Sequence, residues 1–414
     1  MRVCLLLLLC FACTRLPPEQ QLTSVSIIDQ NGMSQTVQSK ERLSRYARVN
    51  FEAGGPYQKV LRVYGRDGEG HVRSRITGYH PNGQPRQALE VVDGRAFGSY
   101  KEWHTNGQLK LVAVVVGGSA DIDDQSVASY LFDGVSRAWD EGGNLLAEIP
   151  YWKGELHGLS TYYYPSGKVW KEIPFYGGKR TGTSREYGES GDLLAYGEWE
   201  GDLPTGKALQ YYTKDRLASY EEYEEGRLML GEYYNREGRL IASVKEGEGI
   251  RGVAKAGGLL QREEIRGGYQ EGRVEIEDAK GRLLRAYHLS HGIKNGEEVE
   301  FYPETGKPKL ALTWREGQIV GIAKTWYPSG HMESKREISN SRVNGVAMAW
   351  YEDGNLMLIE EYVEGRLLKG EYFPKGTPSA ISRVMNGRGM ATLYDGEGNY
   401  LRKVNYAEGI PVES

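Results

Sequence analysis

Short runs of aromatic and aliphatic residues alternate along this chain with glycine-containing turns, and the pattern returns about every 24 residues. An aromatic residue lies four positions before most of the marker glycines, and an aliphatic residue usually lies two positions after them. Aromatic residues favour a half-buried pleated surface, so the pattern predicts about fourteen copies of a β-hairpin unit. One glycine marks each unit, with Asp215 in its place in one of them: Gly83, Gly107, Gly143, Gly167, Gly191, Gly238, Gly257, Gly281, Gly306, Gly330, Gly354, Gly376 and Gly398.

The turn residues favour two kinds of connection in each unit. Asn82–Gly83, Asn106–Gly107 and Asp353–Gly354 predict two-residue turns, because Asn and Gly accept positive φ angles. A second glycine pair, as at Gly154 and Gly158, predicts a wider turn that leads to the next hairpin. One hairpin alone is marginally stable, whereas stacked hairpins bury a shared stripe. We therefore expect an all-β fold in which tandem hairpins form an elongated, twisted antiparallel meander sheet.

The chain is expected to contain a leader, a cap and the repeat array. The cap carries one hairpin signal, Asn31–Gly32, and a short predicted helix, Lys40–Tyr46. An atypical polar end of this kind protects the edge strand of a repeat array. We predict a signal peptide at 1–12, a tether at 13–24, an N-terminal capping segment at 25–65, the repeats at 66–410 with an insertion near 112–129, and a tail at 411–414.

The leader carries the clearest signal for localisation. Its apolar run, Val3–Ala12, is too short for a transmembrane helix, which needs about 20 residues, and it is typical of a secretory signal. Ala12 followed by Cys13 resembles the lipobox of bacterial lipoproteins, although Cys10 and Phe11 depart from its usual form. We expect cleavage before Cys13 and diacylation of its thiol with palmitate or similar chains, because two or three acyl chains anchor a protein stably. The protein would then be a membrane-anchored lipoprotein of the bacterial envelope. A periplasmic or secreted soluble protein is the alternative.

Composition narrows the range of partners. The formal net charge is −4 and the chain contains no run of Lys and Arg, so we do not expect a nucleic-acid partner. The three cysteines, Cys4, Cys10 and Cys13, all lie in the leader region, so the body of the chain has no thiol for a disulfide or a thiolate metal site.

Two segments imitate nucleotide-binding motifs, but both coincide with repeat glycines. Gly201–Ala208 resembles a phosphate-binding loop, yet it ends in alanine where that loop needs Ser or Thr to hold Mg²⁺. Gly247–Gly252 matches a dinucleotide-binding pattern without the surrounding βαβ unit. We therefore expect neither a nucleotide nor another cofactor. No G-x-S-x-G motif or Cys–His pair supplies a nucleophile, so we predict that the protein is not an enzyme.

Metal binding is also not expected. Asp121, Asp123 and Asp124 in the insertion lack the spaced ligands and the closing Glu of a calcium loop, which favours a solvated acidic loop. The seven histidines lack the partners of a zinc site.

The aromatic residues remain as candidates for recognition. Those four positions before the marker glycines are interpreted as the packing stripe of the array. Neighbouring tyrosines, which we expect on the other face, are the predicted partner-binding residues: Tyr162, Tyr164, Tyr212, Tyr233, Tyr327 and Tyr351. The expected partner is a protein.

Gly154–Gly158 followed by Tyr162–Val169 resembles a bacterial MORN-variant repeat, and residues 66–410 as a whole resemble the YwqK-type antitoxin family. The resemblance implies an antiparallel meander of β-hairpins that acts as an interaction scaffold. We expect a non-enzymatic, envelope-anchored scaffold that mediates protein–protein interaction. Two alternatives stay open: an antitoxin-like component that neutralises a toxin partner, and a binder of glycans or lipid surfaces.

Overall fold

The computed structural model describes residues 21–46, 49–50, 52 and 58–412. The predicted signal peptide and Cys13 lie outside the described residues. The described chain is almost entirely β-structure, and its 35 strands belong to one antiparallel sheet. This confirms the predicted all-β class and the antiparallel meander. The chain comprises two compact units, Met1–Leu203 and Pro204–Ser414, called the first and the second unit below.

The first unit contains fifteen strands and two short helices. The predicted cap helix is present with the predicted bounds. β1 pairs with both β2 and β3, β3 pairs with β4, and β4 pairs with β5. The two-residue strands β10 and β13 pair only with the strand that precedes each of them, and that strand also pairs with the strand that follows. The elements are β1 (Gln21–Asp29), β2 (Ser34–Val37), α1 (Lys40–Tyr46), β3 (Gln58–Arg66), β4 (Val72–Tyr79), β5 (Pro85–Val92), β6 (Arg95–Trp103), β7 (Leu109–Val115), α2 (Asp124–Ala128), β8 (Phe132–Trp139), β9 (Leu145–Trp152), β10 (Glu155–Leu156), β11 (Gly158–Tyr163), β12 (Val169–Tyr176), β13 (Lys179–Arg180), β14 (Gly182–Tyr187) and β15 (Leu193–Glu200).

The second unit repeats the same hairpin pattern, with one 3-10 turn at Ala256–Gly258. Its strands are β16 (Leu203–Thr213), β17 (Arg216–Glu224), β18 (Arg227–Tyr234), β19 (Leu240–Lys245), β20 (Glu248–Ala254), β21 (Leu260–Arg266), β22 (Tyr269–Glu277), β23 (Leu283–Ser290), β24 (Ile293–Lys294), β25 (Gly296–Phe301), β26 (Pro308–Arg315), β27 (Gln318–Trp326), β28 (Met332–Ser339), β29 (Arg342–Trp350), β30 (Leu356–Val363), β31 (Arg366–Tyr372), β32 (Ser382–Met385), β33 (Arg388–Tyr394), β34 (Tyr400–Ala407) and β35 (Ile410–Val412).

The two connections within a repeat are the reverse of the predicted ones. The tight turn lies at the first glycine of each unit: at Asp93–Gly94 both residues have positive φ angles, as type I′ hairpin turns require. The turn at Asn82–Gly83 is the wider one, because Tyr79 pairs with Pro85 and leaves five residues, His80 to Gln84, in the loop. Only the glycine has a positive φ there. The Asn82 side chain instead accepts a hydrogen bond from the backbone N–H of Gln84 at 3.1 Å. The predicted two-residue turns at Asn106–Gly107 and Asp353–Gly354 are wrong for the same reason.

The insertion between β7 and β8 packs onto the first unit's core. Ile122 and Tyr130 are buried, and the Tyr130 ring meets the fully buried Tyr100 ring edge-on at 5.1 Å. The acidic residues predicted to form a solvated loop have structural partners: Asp121 accepts two hydrogen bonds from Arg62, each 2.8 Å long, and Asp123 caps α2. The insertion therefore covers one face of this part of the sheet.

Candidate functional site

Consecutive hairpins are joined by hydrogen bonds from aromatic side chains to the backbone. The donor precedes the marker glycine by three or four positions, and the acceptor is a carbonyl of the next hairpin. A ring that reaches across in this way satisfies a backbone carbonyl and fixes the spacing of the units. The pairs are His80 to Trp103, His104 to Trp139, Tyr164 to Tyr187, Tyr212 to Tyr234, Tyr302 to Trp326, Tyr327 to Trp350 and Tyr351 to Phe373.

This finding places most of the predicted partner-binding tyrosines inside the array. Four of them are donors in these inter-hairpin hydrogen bonds, namely Tyr164, Tyr212, Tyr327 and Tyr351, and the Tyr351 side chain is fully buried. Tyr233 is 1% exposed and donates to Glu221 at 2.8 Å. Tyr162 is half-buried and packs against the Trp170 ring. The structure gives each of the six an internal contact, and their role in binding a partner stays a prediction.

A different set of aromatic residues in the first unit is exposed. Trp152 is 59% and Tyr176 is 69% exposed, and the His157 ring lies between them, with ring centres 6.3 and 4.8 Å away. Val135 and Leu159 are also exposed, at 44% and 48%. These five residues are called the aromatic patch.

The aromatic patch lies on one face of β8 to β12. Val135 pairs with Pro150, which shares a face with Trp152 because alternate residues of a strand point the same way. Leu159 likewise pairs with Pro174, which shares a face with Tyr176.

A charged row borders the aromatic patch on the same face. Arg137 forms an ion pair with Glu148 at 2.7 Å, and the Tyr163 hydroxyl donates to the same carboxylate at 2.8 Å. The hydrogen bond from Tyr163 and, to a lesser extent, that from Arg137 lower the pKa of Glu148. The Glu148 carboxylate therefore stays charged at neutral pH. An apolar centre with a polar border is the usual arrangement of a protein–protein interface.

Sequence reasoning missed the aromatic patch although a signal was present. Trp152 and Tyr176 occupy equivalent positions in successive units, at the end of a strand and just before the tight turn. Their exposure depends on which face each neighbouring strand presents, which the residue pattern did not reveal.

The second unit holds a carboxylate cluster around Glu221, which is 5% exposed. Its two oxygens accept hydrogen bonds from the hydroxyls of Tyr233 at 2.8 Å and Tyr223 at 2.9 Å. The Arg251 guanidinium donates to Glu221 at 2.8 Å and also reaches Glu263 at 3.4 Å. Burial, together with the Glu221 charge, raises the pKa of both tyrosines, so they act as hydrogen-bond donors at any ordinary pH.

A second cluster repeats this arrangement around Glu360. The segments Glu221–Tyr233 (EEYEEGRLMLGEY) and Glu360–Tyr372 (EEYVEGRLLKGEY) are nearly identical, a duplication that the 24-residue repeat obscures. Glu360 accepts hydrogen bonds from Tyr372 at 2.8 Å and from Tyr362 at 3.0 Å. A cavity of about 500 Å³ is lined in part by Glu360 and Tyr362.

The motifs that imitate nucleotide sites form ordinary strands and turns. The glycine-rich segment at Gly201–Ala208 continues into β16, and Gly247–Gly252 runs from a tight turn into β20, so neither leads into a helix. Within the described residues, no group of three or more His, Cys, Asp or Glu side chains could hold a metal ion. None of the helices that the structure describes is long and apolar enough to span a membrane.

Comparison with known proteins bears out the repeat. The family model described as MORN repeat variant matches residues 132–153, 156–175 and 319–340. The chain carries MORN-variant repeats. The first two matches contain four of the five residues of the aromatic patch, and Tyr176 directly follows the second match. The third covers all but the first residue of β27 and the whole of β28.

Beyond the MORN-variant repeats, the comparisons add little. No curated protein matches the chain. Among the solved structures, one chain of "Crystal Structure of TcdB2-TccC3-Cdc42" matches with 11% identity over 93% of this chain. The match spans 22% of that longer chain, and its TM-score is 0.15, so it carries no argument about fold or function.

Proposed function

We propose that this protein is a non-enzymatic repeat scaffold, anchored in the bacterial envelope through Cys13, that binds a protein partner with the aromatic patch of its first unit. The MORN-variant repeats support the scaffold part of this proposal. The observation that carries the binding part is the exposure of Trp152 and Tyr176 around the His157 ring. Exposed Trp and Tyr side chains dominate the binding energy of protein interfaces, because they bury a large area at a low cost in conformational entropy.

A quantitative cross-linked pull-down from the native envelope tests the binding part. The double variant Trp152→Ala/Tyr176→Ala should lose the partner that the wild-type chain captures, since alanine at an interface anchor costs about 2 kcal/mol or more. The matched control is Tyr269→Ala/Tyr400→Ala, which removes two equally exposed tyrosines of the second unit. Equal capture by both double variants and the wild type would refute the aromatic patch as the binding surface.

The same patch would also suit a sugar ring, which is the weaker alternative. A glycan array separates the two proposals, because a protein-binding patch gives no glycan signal. A glycan signal that disappears in Trp152→Ala/Tyr176→Ala would replace the protein partner by a carbohydrate.

The anchor is tested separately by metabolic labelling with a palmitate analogue. We expect label in the wild type and in Cys10→Ala, and none in Cys13→Ala. Label that persists in Cys13→Ala would remove the lipoprotein part of the proposal. The antitoxin alternative rests on resemblance alone, and it requires a toxin-like reading frame beside the gene.

A further inference from the structure

The two carboxylate clusters of the second unit differ in one component. In the first cluster the Arg251 guanidinium lies against Glu221 and also reaches the Tyr223 hydroxyl at 3.3 Å. In the second cluster the corresponding position holds Ala391. Gly249 pairs with Val244 and Gly389 pairs with Val384 at equivalent places, and Arg251 and Ala391 each lie two residues after that glycine. The second cluster therefore has the carboxylate and both tyrosines but lacks the guanidinium.

Other well-buried carboxylates of the second unit meet a cation. Glu298 is 1% exposed, and Arg285 and Lys294 both donate to it. Burial opposes ionisation of Glu298, but these hydrogen bonds outweigh it and lower its pKa. Glu360 is half-buried, and the described residues provide it with tyrosine donors but with no ion pair.

The cavity lies beside Glu360 on the side of β28 and β29, and the fully buried Ala391 is not one of the residues that line it. It is lined by Glu360 and Tyr362, the counterparts of the two side chains that contact the Arg251 guanidinium in the first cluster. Ala347 is small and buried, so it leaves room between the strands. Arg336 and Arg342 also line the cavity and are exposed, so its wall carries both signs of charge.

We propose that this cavity receives an arginine side chain of the protein partner, with Glu360 as its acceptor. The two tyrosine hydroxyls each take one lone pair of the carboxylate oxygens, and the remaining lone pairs are free to accept a guanidinium. The exposed Arg336 and Arg342 then favour a carboxylate next to that arginine in the partner. This inference rests on the proposed function, and it names the chemistry of one contact that the partner makes.

N-acetyl-arginine is a direct probe, because it carries a guanidinium and a carboxylate. Calorimetric titration of the full chain should show one saturable site. N-acetyl-citrulline has the same shape with a neutral head group, and it should bind about tenfold more weakly or worse, since a charged hydrogen bond is lost. Equal binding of the two probes, or no saturable binding of N-acetyl-arginine, would overturn the proposal.

Two substitutions on β30 locate the site. Glu360→Gln should weaken N-acetyl-arginine binding by about tenfold or more, because it removes the charge that attracts the guanidinium. Glu361→Gln is the matched control, since this neighbour points to the opposite face and pairs with Lys369 at 3.1 Å. Unchanged binding in Glu360→Gln would contradict the assignment.

The first cluster offers an independent test of whether a carboxylate with two tyrosine donors binds a guanidinium. Arg251→Ala leaves Glu221 without its guanidinium, so the chain should then bind two molecules of N-acetyl-arginine instead of one. A stoichiometry that stays at one would show that a cluster of this geometry does not recognise guanidinium. If Arg251→Ala fails to fold, the Glu360→Gln comparison still decides.

Failure of this inference is distinguishable from failure of the proposed function. Loss of probe binding in Glu360→Gln concerns the second unit alone. Loss of partner capture in Trp152→Ala/Tyr176→Ala concerns the first unit, where the probe has no expected site.

Discussion

At the scale of single residues, glycine allows a tyrosine to lie directly over the backbone in both carboxylate clusters. A Cβ atom at Gly370 would lie 2.6 Å from the Tyr372 hydroxyl oxygen, and one at Gly231 would lie 2.5 Å from that of Tyr233. The Tyr372 ring is fully buried and its hydroxyl is held by Glu360, so it has no room to move aside. These glycines are required for close approach of the ring.

We therefore predict that Gly370→Ala lowers the free energy of unfolding by about 1–3 kcal/mol, the usual cost of overpacking a well-filled site. Urea denaturation measures the change. Lys369→Ala is the control, because its exposed ion pair with Glu361 contributes about 0.5 kcal/mol or less. Equal destabilisation by the two substitutions would contradict the packing argument.

His71 should titrate above its ordinary range. Its Nδ1 lies 2.6 Å from the Asp93 carboxylate, and that hydrogen bond raises the pKa of His71. The stabilisation from the charged pair is then complete below pH about 6.5 and is lost as the pH rises through the raised pKa. An NMR titration should show a higher pKa for His71 in the wild type than in Asp93→Asn, because the variant removes the charge that favours the protonated ring. Identical values in both chains would refute the pairing.

At the scale of elements, the hairpins were predictable and the turn types were not. The recurring glycines indicate where the strands end, because glycine in the interior of a strand weakens it. Both Asn82–Gly83 and Asp93–Gly94 suit a type I′ turn by composition, and only the backbone shows that the second pair adopts it. The strand pairing around each turn decides the type, and this depends on cross-strand contacts that a single sequence does not display.

The inter-hairpin hydrogen bonds give a prediction at this scale. Tyr351→Phe removes the donor to the Phe373 carbonyl, a bond of 2.7 Å in a fully buried position. The carbonyl is left without this partner, so stability should fall by about 1–2 kcal/mol.

Tyr400→Phe serves as the control for Tyr351→Phe. Tyr400 is 58% exposed, its hydroxyl bonds to no described residue, and its ring contact with Tyr394 survives the change. Thermal unfolding should show a lower midpoint for Tyr351→Phe alone. Equal midpoints for the two variants would mean that the inter-hairpin hydrogen bonds contribute nothing measurable.

At the scale of the whole molecule, the repeat determines the fold, and departures from the repeat provide the candidate sites. The sequence predicted the array, the cap helix at Lys40–Tyr46 and the insertion between β7 and β8. It did not predict the aromatic patch, because exposure depends on which face each neighbouring strand presents. The difference between Glu221 and Glu360 was also not predicted. The two carboxylates occupy equivalent positions in the sequence, and only the structure shows that Arg251 contacts Glu221 whereas Glu360 is contacted by tyrosine hydroxyls.

Site-specific photo-cross-linking in the native envelope tests the central claim, which is that the aromatic patch binds a protein partner. A photoreactive phenylalanine analogue at Tyr176 should yield one discrete cross-linked product, and Trp152→Ala in the same chain should abolish it. The same analogue at Tyr400 should yield no such product. Products that are the same from both positions, or that are unaffected by Trp152→Ala, would contradict the claim.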